Sequence, residues 1–258
     1  MFYLIQSNIY SDPDHYKTFE ALDELGLEYE AYELLPTATE IELKSERKDI
    51  FVYGSVRLAR LAKAHSDWNP GSFYGGNHQF EKHAPFYQNH LLNYETTIFK
   101  LEELIDWNPG EEKFIKPYRD AKVFTGKVFT ELKWNNFVSN ALQQSTTPLL
   151  NSKTLVQTSR PQHLIKEARL WIVGNSIVAS VYYKFHGDQP FEEYVSEDGI
   201  QFAKQMIDIY CVAEAFVMDI GFTDTGWKIV EINCINSAGF YHLNPRPLFK
   251  ALEVHLNR

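Results

Sequence analysis

The stretch FVMDIGFTDTGWKIVEINCINSAGFY, from Phe216 to Tyr241, constrains this chain more than any other. Val217 to Gly221 and Lys228 to Ile232 are rich in β-branched and apolar residues, and Asp224-Thr225-Gly226 between them is turn chemistry. A turn centred near Thr225 sets Asp219 opposite Glu231, and the period of two along a strand brings Asn233 to the same face. Two carboxylates and a carboxamide then meet on one side of an apolar hairpin. Left unpaired, the carboxylates repel each other, at a desolvation cost on the order of several kcal/mol. A hard divalent cation relieves both penalties. All-oxygen ligation by few protein groups suits Mg²⁺, which fills its other positions with water and phosphate oxygens. A hairpin whose acids face solvent satisfies the same spacing.

The bulk numbers narrow the class. With 258 residues, 44% hydrophobic and 15% aromatic, the chain can bury a large core, as one domain or as two to three lobes. A net charge of −9 disfavours non-specific nucleic-acid binding. Cys211 and Cys234 have neither disulfide-framework nor zinc spacing. The apolar start lacks a basic flank, and no run of about twenty apolar residues is present, so neither a signal peptide nor a membrane span is expected. The expected setting is the cytoplasm.

Strand–helix–strand alternation fills the N-terminal third. Phe2 to Ile9, Tyr29 to Leu34 and Asp49 to Tyr53 read as strands. Asp12-Pro13 predicts a helix start, with Tyr16, Phe19, Leu22 and Leu25 at helical spacing up to Gly26. A small parallel α/β lobe over residues 1–94 follows. Gly54-Ser55, at the handover from the third strand to a helix, is either an anion-holding turn or an ordinary serine cap. Neither a Gly-x-Gly-x-x-Gly nor a phosphate-loop motif occurs, and His78, His83 and His90 lack zinc-protease spacing.

Lys113 to Pro117 and Lys127 to Leu132 read as strands joined by YRDAKVFTG, with an amphipathic helix on Trp134, Phe137, Val138, Ala141 and Leu142 after them. A strand lysine followed by a basic, glycine-ended loop is what a triphosphate needs above it: a point charge, and backbone N–H groups that close over the anion. A surface hairpin with solvated charges gives the same pattern. Lys153 to Thr158 is a short strand. Glu167 to Lys184 is a hairpin turning at Gly174-Asn175. Pairing Val173 with Ser176 sets Arg169 opposite Ser180 and Glu167 opposite Tyr182, so Glu167, Arg169, Trp171, Val178, Ser180, Tyr182 and Lys184 share a face. That face is either a solvated, salt-bridged surface or the floor of a ribose and phosphate site. Gly199 to Phe216 reads as a helix, and Asn244-Pro245-Arg246-Pro247 opens a last one buried through Leu248, Phe249, Leu252 and Leu256.

Three sets of residues together resemble the ATP-grasp superfamily. They are Asp219 with Glu231-x-Asn233 and the small-residue loop Asn236-Ser237-Ala238-Gly239; Lys116-Pro117 at a strand end before a glycine-ended loop; and Glu167, Arg169 and Lys184 on one hairpin. The last basic residue is usually arginine. Lysine there is the mark of the arginine-to-lysine clade of carboxylate–amine ligases, whose members occur in phages and bacteria. The resemblance covers roughly Lys113 to Tyr241. It implies an α/β (α+β) chain with the ATP-grasp fold: two α+β lobes sandwiching ATP, over residues 95–152 (phosphate-covering) and 153–258 (metal-bearing), after the parallel lobe. It implies ATP and Mg²⁺ as cofactors, with Asp219, Glu231 and Asn233 on the metal. Lys116, Lys122, Gly126, Val156, Glu167, Arg169 and Lys184 are implied on the nucleotide, with Arg169 and Lys184 catalytic. The implied reaction joins a small-molecule or peptide carboxylate to an amine through an acyl phosphate, in the cytoplasm (the host's, for a phage protein). A small-molecule kinase and a nucleotide-binding module without turnover are the alternatives.

Overall fold

The computed structural model describes residues 1–10, 12–43, 45–118, 123–143, 150–187 and 193–257. Three parallel strands, β1 (Phe2–Gln6), β2 (Tyr29–Tyr32) and β3 (Ile50–Tyr53), pair in the order β2-β1-β3. All four residues of β3 are buried, as a parallel strand covered on both faces requires. Helix α1 (Lys17–Leu25) begins later than Asp12-Pro13 predicts. Asp12 Oδ1 accepts the Asp14 N–H at 3.0 Å and the Asp12 carbonyl accepts the His15 N–H, so the chain makes tight turns before the helix proper. Gly26, left-handed at φ 64°, ends it. Ser55 caps α2 (Val56–Ala62), its hydroxyl accepting the Leu58 N–H at 3.2 Å, and α3 spans Phe80–Tyr87.

The chain forms two compact units, Met1–Tyr87 with Leu164–Arg258, and Gln88–His163. The smaller is one antiparallel sheet of β4 (Thr96–Lys100), β5 (Glu112–Pro117), β6 (Lys127–Thr130) and β7 (Leu155–Ser159), in the order β4-β7-β5-β6. Helix α4 (Glu131–Gln143) packs on it through Trp134, against Phe99, Ile115, Phe129 and Val156. The sequence reading passes over β4, whose TTIFK is short and mostly exposed, and it places β7 with the third lobe. The ladder instead seats β7 between β4 and β5.

The larger unit adds β8 (Leu164–Val173), β9 (Ser176–Phe185), α5 (Glu197–Ile209), β10 (Ala215–Thr223), β11 (Gly226–Cys234) and α6 (Arg246–Leu256). Its antiparallel sheet runs β11-β10-β8-β9. One face presents Trp171, Val173, Ala215 and Val217 to a shared core with Tyr3, Ile5, Phe51, Tyr53, Phe249 and Leu252. Residues two apart on a strand share a face, so the positions next along are Arg169 on β8 and Asp219 on β10. The polar site is thus the continuation of the core face.

Two registers differ in kind from the sequence reading. On β8 and β9, Val173 does pair with Ser176, but Arg169 pairs with Val181 rather than Ser180, and Glu167 with Lys184 rather than Tyr182. Bulges that leave Val178 and Tyr183 unpaired slip the register twice, so Ser180 and Tyr182 pair with Leu170 and Ala168 on the opposite face. On β10 and β11 the predicted Asp219–Glu231 pair forms, for a second reason. Thr223 pairs with Gly226 across a two-residue turn, and a bulge at Val230 supplies the residue that brings Glu231 opposite Asp219.

Candidate functional site

Asp219 lies on a central strand, 3% exposed, directly opposite Arg169 on β8 and Glu231 on β11. Arg169 grips it with both arms of the guanidinium, Nε to Oδ1 and Nη2 to Oδ2, each at 2.7 Å. This fork-to-fork geometry is the strongest form of the pair. The third arm, Nη1, donates to the Gly239 carbonyl at 3.2 Å. Tyr241 and Tyr183 stack on each other with centroids 4.7 Å apart, and the guanidinium carbon lies 4.7 Å and 5.9 Å from their ring centres. Asn233 Nδ2 donates to Asp219 Oδ2 at 3.0 Å, which leaves the carboxamide oxygen directed elsewhere. Burial pushes the Asp219 carboxyl up, Arg169 opposes that, and the charges of Glu231 and Glu167 push it up further.

Glu167 heads a second cluster on the same face. Its buried carboxylate accepts the Tyr183 hydroxyl at 2.9 Å, His186 Nε2 at 2.7 Å and the Lys184 ammonium at 3.1 Å. Burial raises its carboxyl, but these three partners together hold it below the usual range. The bulge explains the crowding: Tyr183 and Lys184, consecutive in sequence, both reach Glu167. Lys184 is the exposed cation of the face, its side chain 55% accessible. Arg169 is not, being 8% exposed and held on all three nitrogens.

In the smaller unit Lys116, near the end of β5, pairs with Gln157 on β7. A Cβ on Gly126 would meet Lys116 Cβ at 2.7 Å and Phe114 Cζ at 2.9 Å, so the glycine lets the loop end lie against this strand. Val156 is fully buried beneath the same sheet. Lys122 lies outside the described residues. The larger unit therefore brings together Glu167, Arg169, Lys184, Asp219, Glu231 and Asn233; the smaller brings Gly126 to Lys116. Sequence reasoning missed Tyr183, His186 and Tyr241. Each acts through a bulge or a loop, which no period of two reveals.

The oxygen donors suit a hard cation. Asp219 and Glu231 face each other across one strand pair, and Asn233 follows on the same side of the strand. Among the described residues no group of three or more His, Cys, Asp or Glu side chains could hold a metal.

The ATP-grasp domain of the arginine-to-lysine clade, family 3, matches residues 56–252 of the chain. The chain belongs to the ATP-grasp superfamily, in that clade. Solved structures show the same fold. A RimK domain ATP-grasp protein from Sphaerobacter thermophilus aligns at TM-score 0.64 and 12% identity, over 100% of both chains. The D-alanine–D-alanine ligase of Bacillus anthracis aligns at 0.60 and 11%, covering 99% of this chain and 93% of its own. The macrocyclase MdnC of Microcystis aeruginosa, bound with its precursor peptide MdnA, aligns at 0.55 and 15% over 100% of both. At these identities the likeness establishes the ATP-grasp fold, with its mixed α+β layers. No curated protein matches the sequence.

Proposed function

We propose that this protein is an ATP- and Mg²⁺-dependent ligase that joins a carboxylate to an amine. The observation that carries the reading is the single sheet face on which Asp219, Glu231 and Asn233 lie beside Arg169 and the Lys184–Glu167 pair. Solved relatives of the same fold include ligases with a precursor, Mg and ADP or with ATP, which supports nucleotide, metal and peptide-like substrates here.

Asp219, Glu231 and Asn233 would hold Mg²⁺, which supplies positive charge to the nucleotide phosphates. Arg169 holds the Asp219 carboxylate fixed inside the fold and opposes the rise that burial gives it. Lys184 offers its ammonium to the phosphoryl group in transfer, and Glu167 positions that ammonium. Glu167 also presents carboxylate oxygens to the ribose hydroxyls. By the family resemblance, Lys116, Lys122 and Gly126 would contact the nucleotide. The γ-phosphoryl moves to a substrate carboxylate oxygen and ADP departs; the amine, as its free base, then attacks the acyl carbon, expels phosphate and gives up a proton, leaving the amide. No nucleophilic side chain is required, and the protein acts by position and charge.

The test is incubation with ATP, Mg²⁺ and a metabolite and peptide extract, with products read by mass spectrometry. Hydroxylamine added in parallel should intercept the acyl phosphate as a hydroxamate. A stable phosphate ester without hydroxamate would mark a kinase, and no phosphate release a binding module.

A further inference from the structure

We infer that Asp12 receives the ammonium group of the amine substrate. The inference rests on the ligase reading for its setting and on separate geometry for its content. In the order β2-β1-β3 the chain passes from β1 to β2 on one side and then crosses to β3 on the other, so the carboxyl ends of β1 and β3 form the switch point of the parallel sheet. Ligands of open α/β sheets settle in the crevice beyond such ends. Asp12 lies in the segment that leaves β1 there, and Tyr53 ends β3.

The Asp12 carboxylate is held but half open. Its Oδ1 is fixed by the Asp14 N–H at 3.0 Å. Its Oδ2 has no hydrogen-bond partner among the described residues and lies 3.0 Å from where a Cβ on Gly239 would stand. The Gly239 carbonyl is the one that takes Arg169 Nη1, so Asp12 borders the loop that closes the Asp219 site. Charge points the same way: the Tyr53 phenol, buried and thereby raised, feels both the Asp12 carboxylate and the Arg169 guanidinium. The other candidates nearby are engaged. Asp14 binds Lys17 and His242, the Tyr53 hydroxyl donates to the Ala238 carbonyl at 2.6 Å, and the charge of Arg169 is matched by Asp219.

What the spot offers is therefore a fixed anion with one free oxygen beside small backbone, next to the face proposed to carry the phosphoryl transfer. That suits a primary ammonium, which brings up to three donors and a positive charge. Tyr241 and His242 adopt left-handed φ values of 48° and 68°, so the rim of the spot is a constrained loop rather than a sliding one.

The experiment is an NMR titration of the full chain with L-alaninamide and with propionamide, its isostere without the ammonium, reading the Gly239 and Asp12 amides. Saturable shifts with L-alaninamide alone are expected, weakened about tenfold or more in Asp12→Asn. Asparagine keeps the Oδ1 turn, so the fold is retained. Gly239→Ala, which crowds Oδ2, should weaken the same shifts. Equal shifts with propionamide, shifts that survive Asp12→Asn, or no shift in the parent would each overturn the assignment. The titration needs no nucleotide, so loss of the ligase reading and loss of the ammonium site give different results.

Discussion

Asp219 and Glu231 pair across two strands, yet they live in different surroundings. Asp219 is buried and matched by Arg169, while Glu231 is exposed. Glu231→Gln should therefore leave stability within about 0.5 kcal/mol, as surface changes do, while abolishing Mg²⁺-dependent turnover. Parent-like phosphate release from Glu231→Gln would remove the hairpin as metal site. Arg169→Met leaves a buried carboxylate unmatched, which costs roughly 3–5 kcal/mol and should show as a large fall in the urea midpoint. Glu167 gives the pH test. Its folded carboxyl titrates below its unfolded one, so its contribution is present above the unfolded pKa, about 4.3, and is lost as pH falls through the folded value. Urea midpoints of the parent and Glu167→Gln should differ near neutrality and converge in acid; a constant gap would show that the three partners do not act through charge. The sequence makes these residue types and most of their spacing legible. It treats Asp219 and Glu231 as equals, because the burial that separates them comes from β8, far away in the chain.

Hairpins were legible as elements, and their registers only in part. Gly174-Asn175 and Asp224-Thr225-Gly226 announce both turns, and both ladders start where the turns predict within one residue. Beyond the turns, bulges at Val178, Tyr183 and Val230 decide what faces what, and a bulge leaves no pattern in composition. Ser180 and Lys184 test this directly. Ser180→Ala should leave turnover unchanged, since Ser180 pairs with Leu170 on the face away from Arg169; loss of activity would restore the unbulged register. Lys184→Met should lower turnover on the order of 10²-fold, the usual effect of removing one preorganised charge, with partial recovery in Lys184→Arg, whose larger planar head carries the same charge.

At the scale of the molecule, chain order misleads about packing. Residues 1–94 read as a lobe of their own, yet Tyr3, Ile5, Phe51 and Tyr53 share one core with Trp171, Val217, Phe240 and Phe249, so the first and last segments fold as one unit. Apolar periodicity tells which residues are buried, and not against what. This arrangement ties the candidate metal face to the stability of the larger unit, because Arg169 and Asp219 extend the very rows that build its core. A ligand bound there, and only to the folded chain, stabilises by RT ln(1 + [L]/Kd), about 2.7 kcal/mol at a hundredfold excess over Kd. At roughly 2–4 °C per kcal/mol for a unit of this size, ATP with Mg²⁺ should raise the melting temperature by several degrees. EDTA should remove most of that shift, since the phosphates alone would meet Asp219 and Glu231 as like charges. Glu231→Gln should lose the metal-dependent part while melting like the parent without ligand. If ATP shifts the parent equally with and without Mg²⁺, the carboxylate pair does not hold the cation, and the nucleotide is bound by the basic residues alone.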